Sequence, residues 1–424
     1  MMWFLLKGLL RDRQRSFFPL LIVAIGVFIT IVAYCFLLGV GEDVARTNAI
    51  LDTGHVKIMT RAYADIPGQL PNDLALFNLK GLLAELERTH PQMEWVPRTK
   101  FGGLLDLPDE RGETRAQGPV FGLALDLLGP DSTERKRLNL ERALVRGHLP
   151  RSAGEILLSE TMARKLGARL GEMATLISAT SNGSMAIHNF TVAGTMRFGA
   201  GAIDRNAMLA DISDIQYALD MEDGAGEVLG YFPSLIYKEK AADAVKRTFA
   251  ARVTKNDDEF TPVMLTLREQ NNLGEMIDLM KSYIFIVMIG LVFVMSIVLW
   301  NTGLMSGLRR YGEVGVRLAM GESKGHVYRS LIHESMLIGI AASAVGTALG
   351  LAVSFYLQEK GLDVSHFLEG ATVVWPNIYR ARITPFAFCI GFIPGLLATI
   401  LGTAISGIGI FRRQTSQLFK ELET

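Results

Sequence analysis

The chain has 424 residues, 49% of them hydrophobic, and carries 43 Lys and Arg against 43 Asp and Glu. That balance, with no basic run interleaved with aromatics, excludes a phosphate-backbone track and hence nucleic acid as a partner. The apolar share is that of a membrane protein diluted by a soluble part. Both cysteines, Cys35 and Cys389, sit inside apolar runs, where they act as small hydrophobes rather than as staples of a soluble domain.

Residues 1–16 carry Lys7, Arg11, Arg13 and Arg15 and are expected to form a cytoplasmic amphipathic segment. The apolar stretch 17–40 that follows is too long for a signal peptide and has no small-x-small cleavage site, so it reads as an uncleaved anchor. Residues 283–305, 331–357 and 386–411 complete a set of runs that match the roughly 20 residues a helix needs to cross a bilayer. Arg309, Arg310, Arg317, Lys324 and Arg329 mark the loop 306–330 as cytoplasmic, and Arg412, Arg413 and Lys420 do the same for the tail 412–424. Residues 41–282 and the short loop 358–385 then lie on the far side, Arg380 and Arg382 weakening the bias of the second without reversing it.

Residues 41–282 have the composition of an ordinary soluble domain. Short β-type runs are expected at His55–Met59, Val120–Ala124, Glu155–Leu158, Ala174–Ile177, Phe190–Val192 and Leu235–Tyr237. Helical patterns interleave at Leu79–Glu87, Glu160–Leu166, Ile212–Leu219 and Ala241–Ala251, which makes the domain α+β. In "GHLPRSAGEILLSETMARKLGARLGEMATL" a buried strand leads to Ser159 as N-cap, a short helix ending near Gly167 and a further turn at Gly171. From Thr266 an apolar periodicity through Leu267, Leu273, Ile277, Met280 and Ile284, free of proline, starts the second spanning helix well outside the membrane.

No phosphate loop, HExxH, CxxC or GxSxG motif occurs. His333-Glu334 opens like a zinc-protease motif, but Leu337 stands where the second histidine belongs, so a hydrogen-bonded pair is expected there instead of a metal. His55, His90, His148 and His188 lack ligand spacing and are read as turn or surface residues. Gly346 with Gly350, and Gly391 with Gly395, form small-xxx-small pairs that allow close helix packing, within the chain or in a dimer.

The loop between the second and third spans is the most ordered cytoplasmic piece. Leu308–Met320 is expected to form a short helix with Leu308, Tyr311, Val314 and Leu318 on one side and Arg310, Glu313 and Arg317 on another. Gly321 then breaks it, and Ser323 is placed to cap the next helix.

"EVGVRLAMGESKGHVYRSLIHESMLIGI" resembles the cytoplasmic loop of FtsX-like ABC permeases, the match resting on Glu313, Gly315, Ala319, Gly321, Glu334 and Ser335. "LLKGLLRDRQRSFFPLLIVAIGV" is similar to the family's N-terminal helix and first span, "TGHVKI" to the first strand of its outer domain, and the Gly147–Leu176 and "FTVAGT" segments to later parts of that domain. The tail "RRQTSQLFKELET" departs from the family's usual ending.

The resemblance implies an α-helical membrane protein with four transmembrane helices and a large α+β extracytoplasmic domain inserted between helices 1 and 2. It implies that Arg310, Glu313, Val314, Gly315, Arg317, Leu318, Ala319 and Gly321 form the surface that couples to a separate ATPase subunit. The chain itself would then be no enzyme and hold no cofactor, with ATP and Mg²⁺ on two copies of that ATPase. A second permease chain, identical or paralogous, a periplasmic adaptor, lipoprotein or chaperone, and membrane lipid are the further partners implied, in a Gram-negative inner membrane with both termini cytoplasmic. Mechanotransmission in lipoprotein release, or in related handling of a hydrophobic or lipidated substrate, is the leading function. A tripartite efflux pump, control of a cell-wall hydrolase, and a membrane sensor subunit are the alternatives.

Overall fold

The computed structural model describes residues 13–197, 204–253, 258–308, 311–364 and 378–412. The N-terminal segment up to residue 12, Arg309, Arg310, residues 365–377 of the short loop and the tail beyond residue 412 lie outside the described residues. The chain divides into two compact units, one comprising Met1–Gly41, Leu279–Leu362 and Tyr379–Thr424, the other Glu42–Asp278 and Asp363–Ile378.

Helix α1, Arg13–Asn48, runs into a π-helical turn over Ala49–Thr53. The α+β unit follows with β1 (Val56–Thr60), α2 (Leu79–Thr89), β2 (Glu94–Pro108), β3 (Thr114–Leu125) and α3 (Glu134–Arg137). Next come β4 (Leu144–Gly147), β5 (Glu155–Ser159), α4 (Glu160–Leu166), β6 (Met173–Ala179) and β7 (Met185–Met196). It closes with β8 (Ala207–Asp211), α5 (Ile212–Ala218), β9 (Glu227–Tyr231), α6 (Glu239–Ala250) and β10 (Pro262–Thr266).

These strands form a 10-stranded sheet in the order β10-β1-β9-β2-β3-β8-β5-β7-β4, with β6 bridging β2 and β7. The β3–β8 and β5–β7 pairs are parallel, and the other pairs in it are antiparallel. Strand β2 is 15 residues long and serves two cores. Trp95, near its start, packs with Val56, Ile58, Val228, Val245 and Phe249. Phe101, Leu105 and Leu107, further along, pack with Ile156, Leu158, Leu176, Phe190 and Met208.

The α4 segment follows its local code. Ser159 accepts a hydrogen bond from the Met162 amide at 3.1 Å, and the helix ends where Gly167 takes φ +67°. Two expectations fail. Leu235–Tyr237 is not a strand, because Leu235 takes φ +52°, which takes the backbone out of the extended region. His55 and His90, expected at turns or the surface, are 1% and 3% exposed, whereas His148 and His188 are partly exposed. The His55 ring stacks on Phe232 and its Nδ1 accepts the Phe232 amide at 2.8 Å, so a neutral imidazole is accommodated in the core. Burial, aided by the Arg137 charge and opposed by a hydrogen bond with the Leu235 backbone, pulls its pKa down to about 4.

The helical unit is built on α1, α7 (Leu273–Leu308), α8 (Tyr311–Ala319), α9 (Lys324–Lys360), α10 (Ala387–Ile390) and α11 (Thr399–Arg412). Among the described residues, 4 helical stretches are long and apolar enough to cross a membrane: Phe17–Thr53, Leu273–Asn301, Lys324–Lys360 and Ala387–Ile408. The last is not one regular helix. A π-helical turn at Ile393–Ala398 separates α10 from α11, at Pro394, whose nitrogen has no hydrogen to donate.

The paired glycines are spent within the chain. A Cβ on Gly346 would lie 2.5 Å from the Ala24 carbonyl oxygen, and one on Gly391 would lie 2.5 Å from Val27. Gly350 meets Ile31 at 3.0 Å and Gly395 meets Ser343 at 2.3 Å in the same sense. Close approach of this kind substitutes backbone packing for the hydrophobic drive that lipid cannot supply.

Candidate functional site

Helix α8 is held by one narrow apolar face. Val314 is buried and Leu318 half-buried, one turn apart, and they pack on Val327 and Leu331, themselves one turn apart at the start of α9. Gly315 is buried beside them.

The connection between the two helices is a closed corner. The Glu322 amide donates to the Arg317 carbonyl at 3.1 Å and the Gly321 amide to the Leu318 carbonyl at 3.0 Å, the crossed pair of bonds that ends a helix in a Schellman motif. Gly321 sits at φ +91°, the conformation that motif needs and that a side chain disfavours. The Arg317 guanidinium adds a fork onto Glu322, with Nε and Nη2 at 2.6 and 2.8 Å from its two carboxylate oxygens. That hydrogen bonding, with the Arg317 charge, holds the Glu322 carboxyl below the usual carboxylate range. His326 approaches the same carboxylate at 3.5 Å.

Helix α9 starts at Lys324 as expected, but the Ser323 hydroxyl makes no capping bond. Its carbonyl instead accepts the amides of His326 and Val327 at 3.0 and 3.2 Å. Further along, Tyr328 donates from its hydroxyl to the Ala404 carbonyl at 3.3 Å, which ties the start of α9 to α11. His333 Nδ1 donates to the Arg329 carbonyl at 2.6 Å. Among the described residues no group of three or more His, Cys, Asp or Glu is placed to hold a metal ion.

The residues that sequence singles out therefore divide into two sets. Val314, Gly315 and Leu318 face α9 and hold α8 in place, while Glu313, Ala319 and Gly321 are exposed and Arg317 is half-exposed. Arg310 lies outside the described residues. Val316 and Met320, not among those selected, stand 42% and 75% exposed and share the outward face with Glu313 at helical spacing. The signal that finds them is that spacing, three and seven residues on from Glu313. The result is a small ridge, apolar with one carboxylate, on a helix whose opposite side is anchored to a long helix.

Residues 285–415, which include this corner, match the family model for the FtsX-like permease C-terminal region. Over 178 residues the chain is 23% identical to an uncharacterized ABC transporter permease of Methanocaldococcus jannaschii, a match covering 41% of this chain and 42% of that relative. The chain thus spans less than half the length of the curated relative it matches. The periplasmic region of MacB from Actinobacillus actinomycetemcomitans aligns at 13% identity with a TM-score of 0.35, covering 54% of this chain and 97% of that one, a likeness too slight to assign a fold. The helical region that bears the α8 corner is thus similar to the C-terminal region of FtsX-like permeases, and the chain resembles ABC transporter permeases of that type.

Proposed function

We propose that this chain is the transmembrane subunit of a mechanotransmission ABC transporter, and that the outward face of α8 docks on a separate ATP-hydrolysing subunit. The observation that carries the reading is the exposed ridge of Glu313, Val316 and Met320 on a helix fastened to α9 by Val314 and Leu318. A push on such a helix moves α9 with it, because the corner between them is closed by the Schellman bonds and the Arg317–Glu322 fork. Two ATPase subunits, carrying ATP and Mg²⁺, would act on two permease chains, identical or paralogous.

In this reading the α+β unit is the domain inserted between the first and second spans and faces the periplasm, and both termini are cytoplasmic in an inner membrane. The cargo class it fits is a lipoprotein or another lipidated molecule, handled outside the membrane with an adaptor or chaperone. The small number of charges inside the spans supports cargo handling outside the bilayer over a polar path through it.

Mild-detergent capture of the tagged full-length chain, with bound proteins identified by mass spectrometry, tests the proposal. Recovery of a Walker-motif ATPase with the wild type and its loss with Glu313→Lys, while the variant still inserts, is the expected result. Recovery of no ATPase with either would overturn it.

A further inference from the structure

The outer end of α1 is gripped by side chains of the sheet. A helix ends with carbonyls short of partners in the next turn, and here side chains claim them one by one, the Ala49 carbonyl also accepting the Gly54 amide at 2.9 Å. The Ala49 carbonyl accepts the Tyr231 hydroxyl at 3.1 Å, and those of Ile50 and Leu51 accept Arg98 Nη1 at 2.9 and 3.3 Å. The Thr53 carbonyl accepts Gln270 Nε2 at 3.2 Å.

Arg98 is fully buried in β2 and is fixed from behind by Glu134 of α3, 2.7 Å from its Nε. Arg137 pairs with the same carboxylate and lies 4.0 Å above the Tyr231 ring.

A second network meets at Asp52. Its carboxylate takes Lys57 of β1 at 3.2 Å, Lys100 of β2, and the Asn271 side-chain amide at 2.7 Å. Glu227 of β9 pairs with both lysines, at 2.7 and 3.1 Å. Gln270 and Asn271 lie two and one residues short of Asn272, which immediately precedes the start of α7 at Leu273, so the same few atoms hold the end of α1 and the approach to α7. Ala49, Leu267 and Leu273 add a small buried apolar cluster there.

Buried ion pairs are poor investments in stability, because apolar packing of equal volume serves as well or better. Their advantage is direction, since each bond has a fixed geometry. We infer that Arg98 and Asp52 are positioning residues, forming a joint through which displacement of α1 and α7 is passed to the sheet of the α+β unit. This rests on the proposed reading of the chain as a transmitter of motion.

The test uses the full chain with its ATPase partner in lipid nanodiscs, carrying paired spin labels across the α+β unit. The Arg98→Met/Glu134→Gln double variant removes the grip without leaving a lone buried charge. It should raise hydrogen exchange at the Gly54 amide about tenfold or more, keep ATP hydrolysis within about twofold of wild type, and abolish the ATP-dependent change in label distance. Arg98→Lys, which keeps the charge and a donor, should restore part of that change. If the double variant does not fold, Asp52→Asn provides the same comparison, loosening the second network while Glu227 still pairs with Lys57 and Lys100. An ATP-dependent change preserved in the folded variant would overturn the joint. No such change in the wild type would instead overturn the transmission reading, and the joint with it.

Discussion

Arg317 holds Glu322 through two parallel hydrogen bonds of 2.6 and 2.8 Å across the corner that joins α8 to α9. Both side chains are partly exposed, so water and salt screen the pair and it adds little to global stability. Its effect is local, holding the direction of α8. Arg317→Met is expected to leave the melting temperature unchanged while lowering capture of the ATPase several-fold. The swap Arg317→Glu/Glu322→Arg should recover part of that loss. A coupling energy near zero in this double-mutant cycle, read from capture affinity, would remove the pair from the account.

Gly321 faces open space, with nothing within 4 Å of a Cβ built on it, so the only penalty of a side chain is its φ of +91°. Gly321→Ala should cost about 1–2 kcal/mol, concentrated in the α8 corner. Faster amide exchange over residues 320–323, with α11 unaffected, is the expected signature.

The close approach of α9 to α1 makes a sharper prediction. At Gly346 a Cβ would meet the Ala24 backbone oxygen at 2.5 Å and Val27 at 2.9 Å, and neither can swing away. Gly346→Val should sharply reduce the yield of folded protein in detergent. Gly325→Val, at a position in the same helix with nothing within 4 Å, should be tolerated.

His55 gives the α+β unit an acid-sensitive step. Its pKa is about 4 in the folded chain, against an unfolded value of about 6.5. Between those values the unfolded state binds the proton and the folded state does not, so stability rises with pH there. The contribution is complete above pH of about 6.5 and is lost as pH falls towards 4, amounting to about 3 kcal/mol. Melting curves of the full chain between pH 4 and 7 should show this slope. His55→Asn retains an acceptor for the Phe232 amide and should be less stable at neutral pH, but with a flatter profile.

Local signals made some elements legible and hid others. Glu160–Leu166 can be read to the residue because its cap and its stop, Ser159 and Gly167, are both local choices. The loop helix, read as Leu308–Met320, is observed as Tyr311–Ala319 for the same reason, its stop being Gly321. Strand β2 escapes because "EWVPRTKFGGLLDLP" carries two prolines, paired glycines and two basic residues, each a mark of a loop. Its glycines answer to neighbours distant in sequence: a Cβ on Gly103 would stand 2.6 Å from the Ile177 carbonyl.

His55, Arg98 and Lys57 were opaque for a related reason. A polar residue in one sequence looks like surface until the chain brings it a partner. At the candidate site, periodicity separates the faces of α8, but only the placement of Val327 and Leu331 shows which face is covered. That covered face takes Val314 and Leu318 out of the proposed docking surface and leaves Val316 and Met320 exposed on the other side.

The most direct measurement is photocrosslinking from position 320, with a photoreactive amino acid in place of Met320, in membranes that contain the full set of native partners. The account predicts a single major adduct with a Walker-motif ATPase, absent when the same residue replaces buried Val327. Crosslinks to lipid alone, or to this chain's own helices alone, would contradict it.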